Sequence, residues 1–231
     1  MQIEKFDLGL INFKKAWDFQ KEVFKAVKYE DIYSALILCQ HYPVITVGRT
    51  ADRRNILADE QKLNFKGIQI YEIERGGDVT YHGPGQLIAY PIFNLKYFKK
   101  DIHLFLRYLE ETVIELLYDF GIKGTRYAGL TGVWVDKQKI ASIGIAIRNW
   151  ITFHGLSINI KKSDLDDFRL IRPCGMDIKM TSLETVLDRD IEINAIKERI
   201  IRKFRDGSSA EARSVPYGDT SPIGSRTVPL Y

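Results

Sequence analysis

Cysteine is scarce in this chain: Cys39 and Cys174 are the only two among 231 residues. That is too few for a disulfide framework, and their separation makes no zinc-ligand spacing. Neither sign of charge dominates, with 34 Lys and Arg against 30 Asp and Glu. A surplus of four positive charges suits an acidic protein partner but is far from a basic nucleic-acid face. Long apolar runs are also missing. The longest, near residues 35–38, falls far short of the roughly 20 residues of a membrane helix. The first eight residues mix charged and apolar side chains, unlike a signal-peptide core. No His-Glu-x-x-His, Gly-x-Ser-x-Gly, P-loop or dinucleotide fingerprint occurs, which leaves a zinc protease and an α/β-hydrolase triad unsupported. The expectation is a cytoplasmic protein with reduced thiols, no metal, and neither nucleic acid nor membrane as a partner.

What is present reads as one folded domain. Hydrophobic residues make up 45% and charged residues 28%, and the length allows a sizeable core. Residues 12–28 carry Phe13, Ala16, Trp17, Gln20, Phe24 and Val27 on one helical face. Residues 33–39 and 44–48 read as strand, turn, strand around His41-Tyr42-Pro43, and 68–73 and 87–93 as further strands. Asp101 caps a second helix whose buried side runs from Ile102 to Phe120. Residues 132–135 and 139–147 form a hairpin about Asp136-Lys137-Gln138, and 151–160 adds another strand. Helices over 181–187 and 193–204 close the domain. From Asp206 the chain turns rich in Gly, Ser, Pro and Thr, so 1–205 is expected to fold and 206–231 to form a disordered tail or cloning remnant. The fold class is α/β or α+β, a mixed sheet with flanking helices, because no regular βαβ repeat appears.

Three stretches have chemical potential. The glycine-rich run 75–86 is too long for a tight turn, and Gly76 and Gly77 let backbone approach a ligand. It reads equally as a long hairpin loop, and His82 within it as an acid, a base or a structural hydrogen-bonder. Cys174 sits in a Pro-Cys-Gly turn, either as a nucleophile needing a nearby cation or as an inert loop thiol. Cys39, among Leu36, Ile37 and Leu38, is a small core residue. Lys139 opens an apolar strand, where a lysine is either solvated or held for ion pairing.

Together these residues resemble the lipoyl(octanoyl) transferases of lipoate biosynthesis. The run Arg-Gly-Gly-Asp-Val-Thr-Tyr-His-Gly-Pro-Gly-Gln at 75–86 looks like that family's signature. His41-Tyr42-Pro43-Val44 through Gly48-Arg49, then Asn55-Ile56-Leu57, is similar to its upstream stretch. The blocks at 139–144, 154–159, 173–175 and 181–183 follow in the family's order, so the resemblance extends to about Phe204. It implies Cys174 as acyl-thioester nucleophile and Lys139 as the residue that favours its thiolate and carries its proton. It implies a pocket lined by Arg75, Gly76, Gly77, Asp78, Val79, Thr80, Tyr81 and His82, by Ser142, Ile143 and Gly144, and by Gly155, Leu156 and Ser157. Val79, Tyr81, Ile143 and Leu156 are expected to build its apolar slot. The implied fold is that of the biotin/lipoate protein ligase catalytic domain, with no cofactor. The implied partners are octanoyl-acyl carrier protein and lipoyl domains, those of 2-oxoacid dehydrogenase E2 subunits and the glycine cleavage H protein. Ligases on the same fold activate a free acid with ATP and need no nucleophilic cysteine, so Cys174 favours the transferase.

Overall fold

Two sheets of unequal size meet across a polar seam, and helices cover their outer faces. The structure, a computed structural model, describes residues 2–207, with Cys174 described by its backbone. In chain order come β1 (Glu4–Ile11), α1 (Phe13–Lys28), β2 (Ser34–His41), β3 (Val44–Val47), α2 (Glu60–Phe65), β4 (Gln69–Glu72), β5 (Val79–His82) and β6 (Gln86–Phe93). They are followed by α3 (Ile102–Tyr118), β7 (Thr125–Tyr127), β8 (Leu130–Val135), β9 (Gln138–Arg148), β10 (Ile151–Asn159), α4 (Leu183–Leu187) and α5 (Ile193–Gly207). The large sheet has the order β1-β2-β6-β10-β9-β8-β7, and the small one β4-β3-β5. Parallel pairs β1–β2 and β3–β4 sit among antiparallel ones, the mixed sheet the sequence implies.

Local chemistry explains most of these elements. Asn12 caps α1 by accepting from Lys14 N, and Asp101 caps α3 by accepting from Leu104 N at 3.0 Å. The β8–β9 turn places Asp136 and Lys137 at φ 45° and 65°, and the β9–β10 turn places Asn149 and Trp150 at 55° and 64°. Such paired left-handed residues match the twist of a two-residue hairpin. α3 and α5 cover one face of the large sheet, where Phe93, Phe105, Tyr108 and Phe204 pack ring to ring. Each fully buried apolar side chain there contributes about 1.5–3 kcal/mol. α1 covers part of the opposite face with Val23 and Val27 against Ile37, Tyr90 and Ile92. The small sheet packs beside α1, joined by Phe13, Val44 and Ile73.

Pairings and boundaries refine those read from the sequence. β2 and β3 form as strand, turn, strand as expected; both edges of β2 are taken by β1 and β6, so β3 joins the other sheet. The run 75–86 is not an uninterrupted loop, because β5 forms within it and pairs with β3. The helix expected over 181–187 starts only at Leu183, since Ser182 is its cap and accepts from Thr185 N. α5 continues to Gly207, two residues past the expected boundary; the rest of the expected tail, 208–231, lies outside the described residues.

Candidate active site

Strand alternation decides which expected pocket residues face the seam. Opposite pairs Val44–His82 and Thr46–Thr80 point one way, while Ile45–Tyr81 and Val47–Val79 point the other. The second set joins an outer core with Leu63, Phe168 and Leu170, where Tyr81 Oη donates to Asp167 Oδ2 at 3.0 Å. His82 faces inward, its ring 6.0 Å from that of His41. The same rule divides β9 and β10. Ser142 lies opposite Ser157 and Gly144 opposite Gly155 on the seam side. Ile143 and Leu156 belong instead to the core beneath α3 and α5. The apolar slot expected from Val79, Tyr81, Ile143 and Leu156 is therefore not assembled; alternation sends these side chains into two separate cores.

The signature run crosses the seam by close backbone contact. Gly76 N donates to Ile145 O at 2.9 Å, and Arg49 N to Arg75 O at 2.9 Å. A Cβ on Gly144 would lie 3.0 Å from Arg75 Cδ and 3.1 Å from Gly76 O, so glycine keeps the crossing tight. Arg75 is buried and turned inward: Nη2 donates to Thr46 O at 2.8 Å and Thr46 Oγ1 at 3.0 Å, and Nη1 to Gly76 O at 3.1 Å. Asp78 faces the 3-10 turn Arg53–Asn55, accepting from Asp52 N at 3.1 Å and Asn55 Nδ2 at 2.5 Å. Asn55 O in turn accepts from Arg172 N at 2.7 Å, beside the turn Pro173–Gly175 that carries Cys174. Gly175 adopts φ 64°, with Gly175 N donating to Arg172 O. Asp78 and Asn55 thus hold the cysteine turn against the signature.

Lys139 is turned to the seam side of β9 by a β-bulge. Val133 pairs with Ala141 and Trp134 with Lys139, leaving Ile140 as an extra residue of β9. Ile140 and Ala141 both enter the core, and Lys139 emerges on the same face as Ser142. Its side chain is only 3% exposed, with Nζ 5.0 Å from the centre of the Trp134 ring. Lys139 N donates to Lys179 O at 2.8 Å, and Lys139 O accepts from Thr181 N at 3.0 Å. Asn159 Nδ2 donates to Thr181 O at 2.9 Å, so the chain following Cys174 is stitched to the strand carrying Lys139.

Buried histidines fill the centre of the seam. Burial lowers the pKa of His41 to about 4 and of His82 to about 3, so both rings are neutral at pH 7. His41 Nε2 lies 2.7 Å from Tyr90 Oη, and His82 Nδ1 3.0 Å from Gln86 Oε1. His154 adopts φ 58°, and its N–H donates to Gln20 Oε1 on α1. Its Nε2 lies 3.2 Å from Glu74 Oε2, yet burial outweighs the carboxylate and its pKa is also lowered. His41 and His154 stand in blocks that carry the resemblance and Gln20 on the apolar face of the first helix, but nothing in sequence order groups them with Glu74; only their shared seam does. Among the described residues no set of three or more His, Cys, Asp or Glu side chains is arranged to hold a metal ion. No helix among them is long and apolar enough to cross a membrane.

Comparison with known proteins finds relatives in sequence and in fold. The profile of the lipoyl protein ligase A/B catalytic domain matches residues 12–205. The octanoyltransferase of Cytophaga hutchinsonii is 40% identical over 216 residues, covering 85% of this chain and 88% of that one. The octanoyltransferase of Thermoanaerobacter sp. strain X514 is 43% identical over 206 residues, covering 88% and 89%. Among solved structures, lipoate-protein ligase A bound with ATP superposes with a TM-score of 0.75 at 16% identity, covering 89% of this chain and 85% of that one. At that identity the likeness concerns the fold.

Proposed function

Since the chain belongs to the lipoyl protein ligase A/B catalytic-domain family, among its octanoyltransferases, we propose that it moves an octanoyl group from acyl carrier protein to a lysine of a lipoyl domain through a thioester on Cys174. The observation that carries the cysteine route is the stitching of Lys139, buried, to the segment that follows the Pro173–Gly175 turn. A lysine ammonium at that end of the seam favours the thiolate, which is the nucleophilic form.

The chemistry runs in two halves. Cys174 thiolate attacks the carbonyl carbon of the octanoyl thioester; the new C–S bond forms as the bond to the carrier's sulfur breaks. Lys139 supplies the proton that the departing thiolate takes. The neutral ε-amine of the lipoyl-domain lysine then attacks the enzyme thioester. A C–N bond forms, the bond to Cys174 breaks, and the proton shed by the amine returns through Lys139. Thioester exchange is near-isoenergetic and amide formation is downhill, so the scheme consumes no ATP. Backbone N–H groups near Gly144 and Cys174 are the candidate donors to each oxyanion. Ser142, Gly144, Gly155, Ser157, Thr80 and His82 border the acyl group along the seam, while Arg75 and Asp78 shape it from behind. The recipients are lipoyl domains of 2-oxoacid dehydrogenase E2 subunits and the glycine cleavage H protein, and the reaction proceeds in the cytoplasm, where thiols stay reduced.

Intact mass of the enzyme after incubation with octanoyl-carrier protein, without ATP, tests this. One octanoyl group should appear on the wild type and discharge onto an added lipoyl domain, and Cys174→Ser should gain none. Octanoylation that needs free octanoate and ATP, with no enzyme adduct, would mean a ligase instead.

A further inference from the structure

Two irregularities of β8 converge on Lys139. On one side β9 bulges at Ile140; on the other, Thr125 pairs with Trp134 and Tyr127 with Leu130, so residues 131–133 stand opposite Arg126 alone. Within that second irregularity the Gly132 N–H is met by a side chain: it donates to Glu110 Oε1 of α3 at 3.1 Å. Glu110 is 1% exposed, and its other oxygen accepts from Arg107 Nη1 at 2.6 Å and Arg126 Nε at 3.1 Å. A buried ion pair is often no better for stability than an apolar isostere. What Glu110 specifically supplies is an acceptor at a fixed place for one backbone N–H.

The glycine so held faces the lysine. Gly132 adopts φ 141°, and a Cβ there would lie 2.6 Å from Lys139 Cε and 3.3 Å from Lys139 Nζ. The end of the lysine therefore occupies the space that any larger residue at 132 would fill. Trp134 bounds it along the strand, itself braced edge-on by Tyr127 at 5.2 Å. We infer that Gly132, anchored by Glu110, is a positioning residue for the Lys139 ammonium: the gap left by its missing side chain sets where the charge stands relative to Cys174. This rests on the reading of Lys139 as the proton carrier, and the geometry makes its position depend on a glycine outside the signature run.

The test compares Gly132→Ala, Lys139→Ala, the double variant and Glu110→Gln, by the pH dependence of Cys174 alkylation with iodoacetamide and by kcat and KM for octanoyl-carrier protein. Lys139→Ala should move the alkylation profile to higher pH. Gly132→Ala should move it the same way and lower kcat at least tenfold with little change in KM, because the flexible lysine end yields to the new methyl. The double variant should be no worse than Lys139→Ala, since both changes act through one ammonium. The methyl added by Gly132→Ala would also meet Ala141 O at 2.6 Å, so the melting temperature of that variant will fall. Glu110→Gln covers the case in which it falls too far: the amide turns its oxygen to the two guanidiniums and its NH2 to the Gly132 N–H, so Gly132 loses its acceptor and the profile should shift part of the way toward that of Lys139→Ala. A shift in Lys139→Ala without one in folded Gly132→Ala overturns the positioning role alone, as does a Glu110→Gln profile that stays at the wild-type position. No shift in Lys139→Ala overturns the proton-carrier reading itself, and the positioning role with it.

Discussion

Arg75 is the residue whose position most restricts the seam, because its fork satisfies two acceptors of one partner. Nη2 reaches both Thr46 O and Thr46 Oγ1, and Nη1 reaches Gly76 O. A lysine ammonium is a single point on a flexible stem and cannot reproduce that fork. Arg75→Lys should therefore lose about 1–3 kcal/mol, or roughly 2–4 °C in melting temperature per kcal/mol at this size. Octanoyl transfer should fall with it, since the Gly76 crossing over Gly144 hangs from the same side chain. Thr46→Ser keeps both acceptors and should behave as wild type. Thermal melts and transfer assays on the pair check this, and an Arg75→Lys protein with wild-type melting and activity would rule out the anchoring role. At this scale the sequence was informative about type and silent about direction. Arg75 and Asp78 are legible in the signature, but nothing in their order says that one turns to Thr46 and the other to Asn55.

Among elements, the two amphipathic helices were legible because a 3.6-residue apolar period survives any tertiary context, and their caps stand in sequence at Asn12 and Asp101. Strand faces were less so. Ile140 and Ala141 are adjacent and apolar, which reads as a continuously buried strand; the bulge that turns both inward and brings Lys139 to the face of Ser142 is set by pairing with β8. β1 has no clear alternation in sequence because it is an edge strand with mixed side chains, none of them fully buried. The turn Arg53–Asn55 is too short for any period, yet it links the signature to the cysteine turn. Asp78→Ala removes the acceptor for Asp52 N and Asn55 Nδ2, which frees that turn and the Asn55 carbonyl that receives Arg172 N. The expected result is a kcat about tenfold lower, the scale of a roughly 1.4 kcal/mol loss in the transition state, together with a modest drop in melting temperature. Asn55→Asp should also be impaired, because two carboxylates then face each other. Single-turnover acylation of Cys174 followed by mass measures both, and unchanged rates would show that the clamp is dispensable.

For the whole molecule, the seam is where the fold stores a dependence on pH. Three of the four histidines lie in it: His41, His82 and His154. They come from β2, β5 and β10, each within a block that carries the family resemblance, though their spacing alone does not say that they share one environment. In the unfolded chain each takes a proton near pH 6.5. In the fold His41 does so only near 4 and His82 near 3, and His154 is lowered as well, in each case chiefly by burial. Below pH 6.5 the unfolded state therefore binds more protons than the folded one, and stability falls as pH falls. The contribution is complete above that value and is lost on the way down toward the folded pKa values. By pH 5, His41 and His82 should each have given up about 2 kcal/mol. Glu115 and Asp164 work in the opposite sense, since burial raises their pKa values and protonation then favours the fold. A direct test therefore needs the histidines themselves. Melting temperature recorded from pH 7.5 to 5 should decline for the wild type, and His41→Gln with His82→Gln should flatten the decline even if both lower the starting value. A decline equally steep in the double variant would place the pH dependence outside the seam.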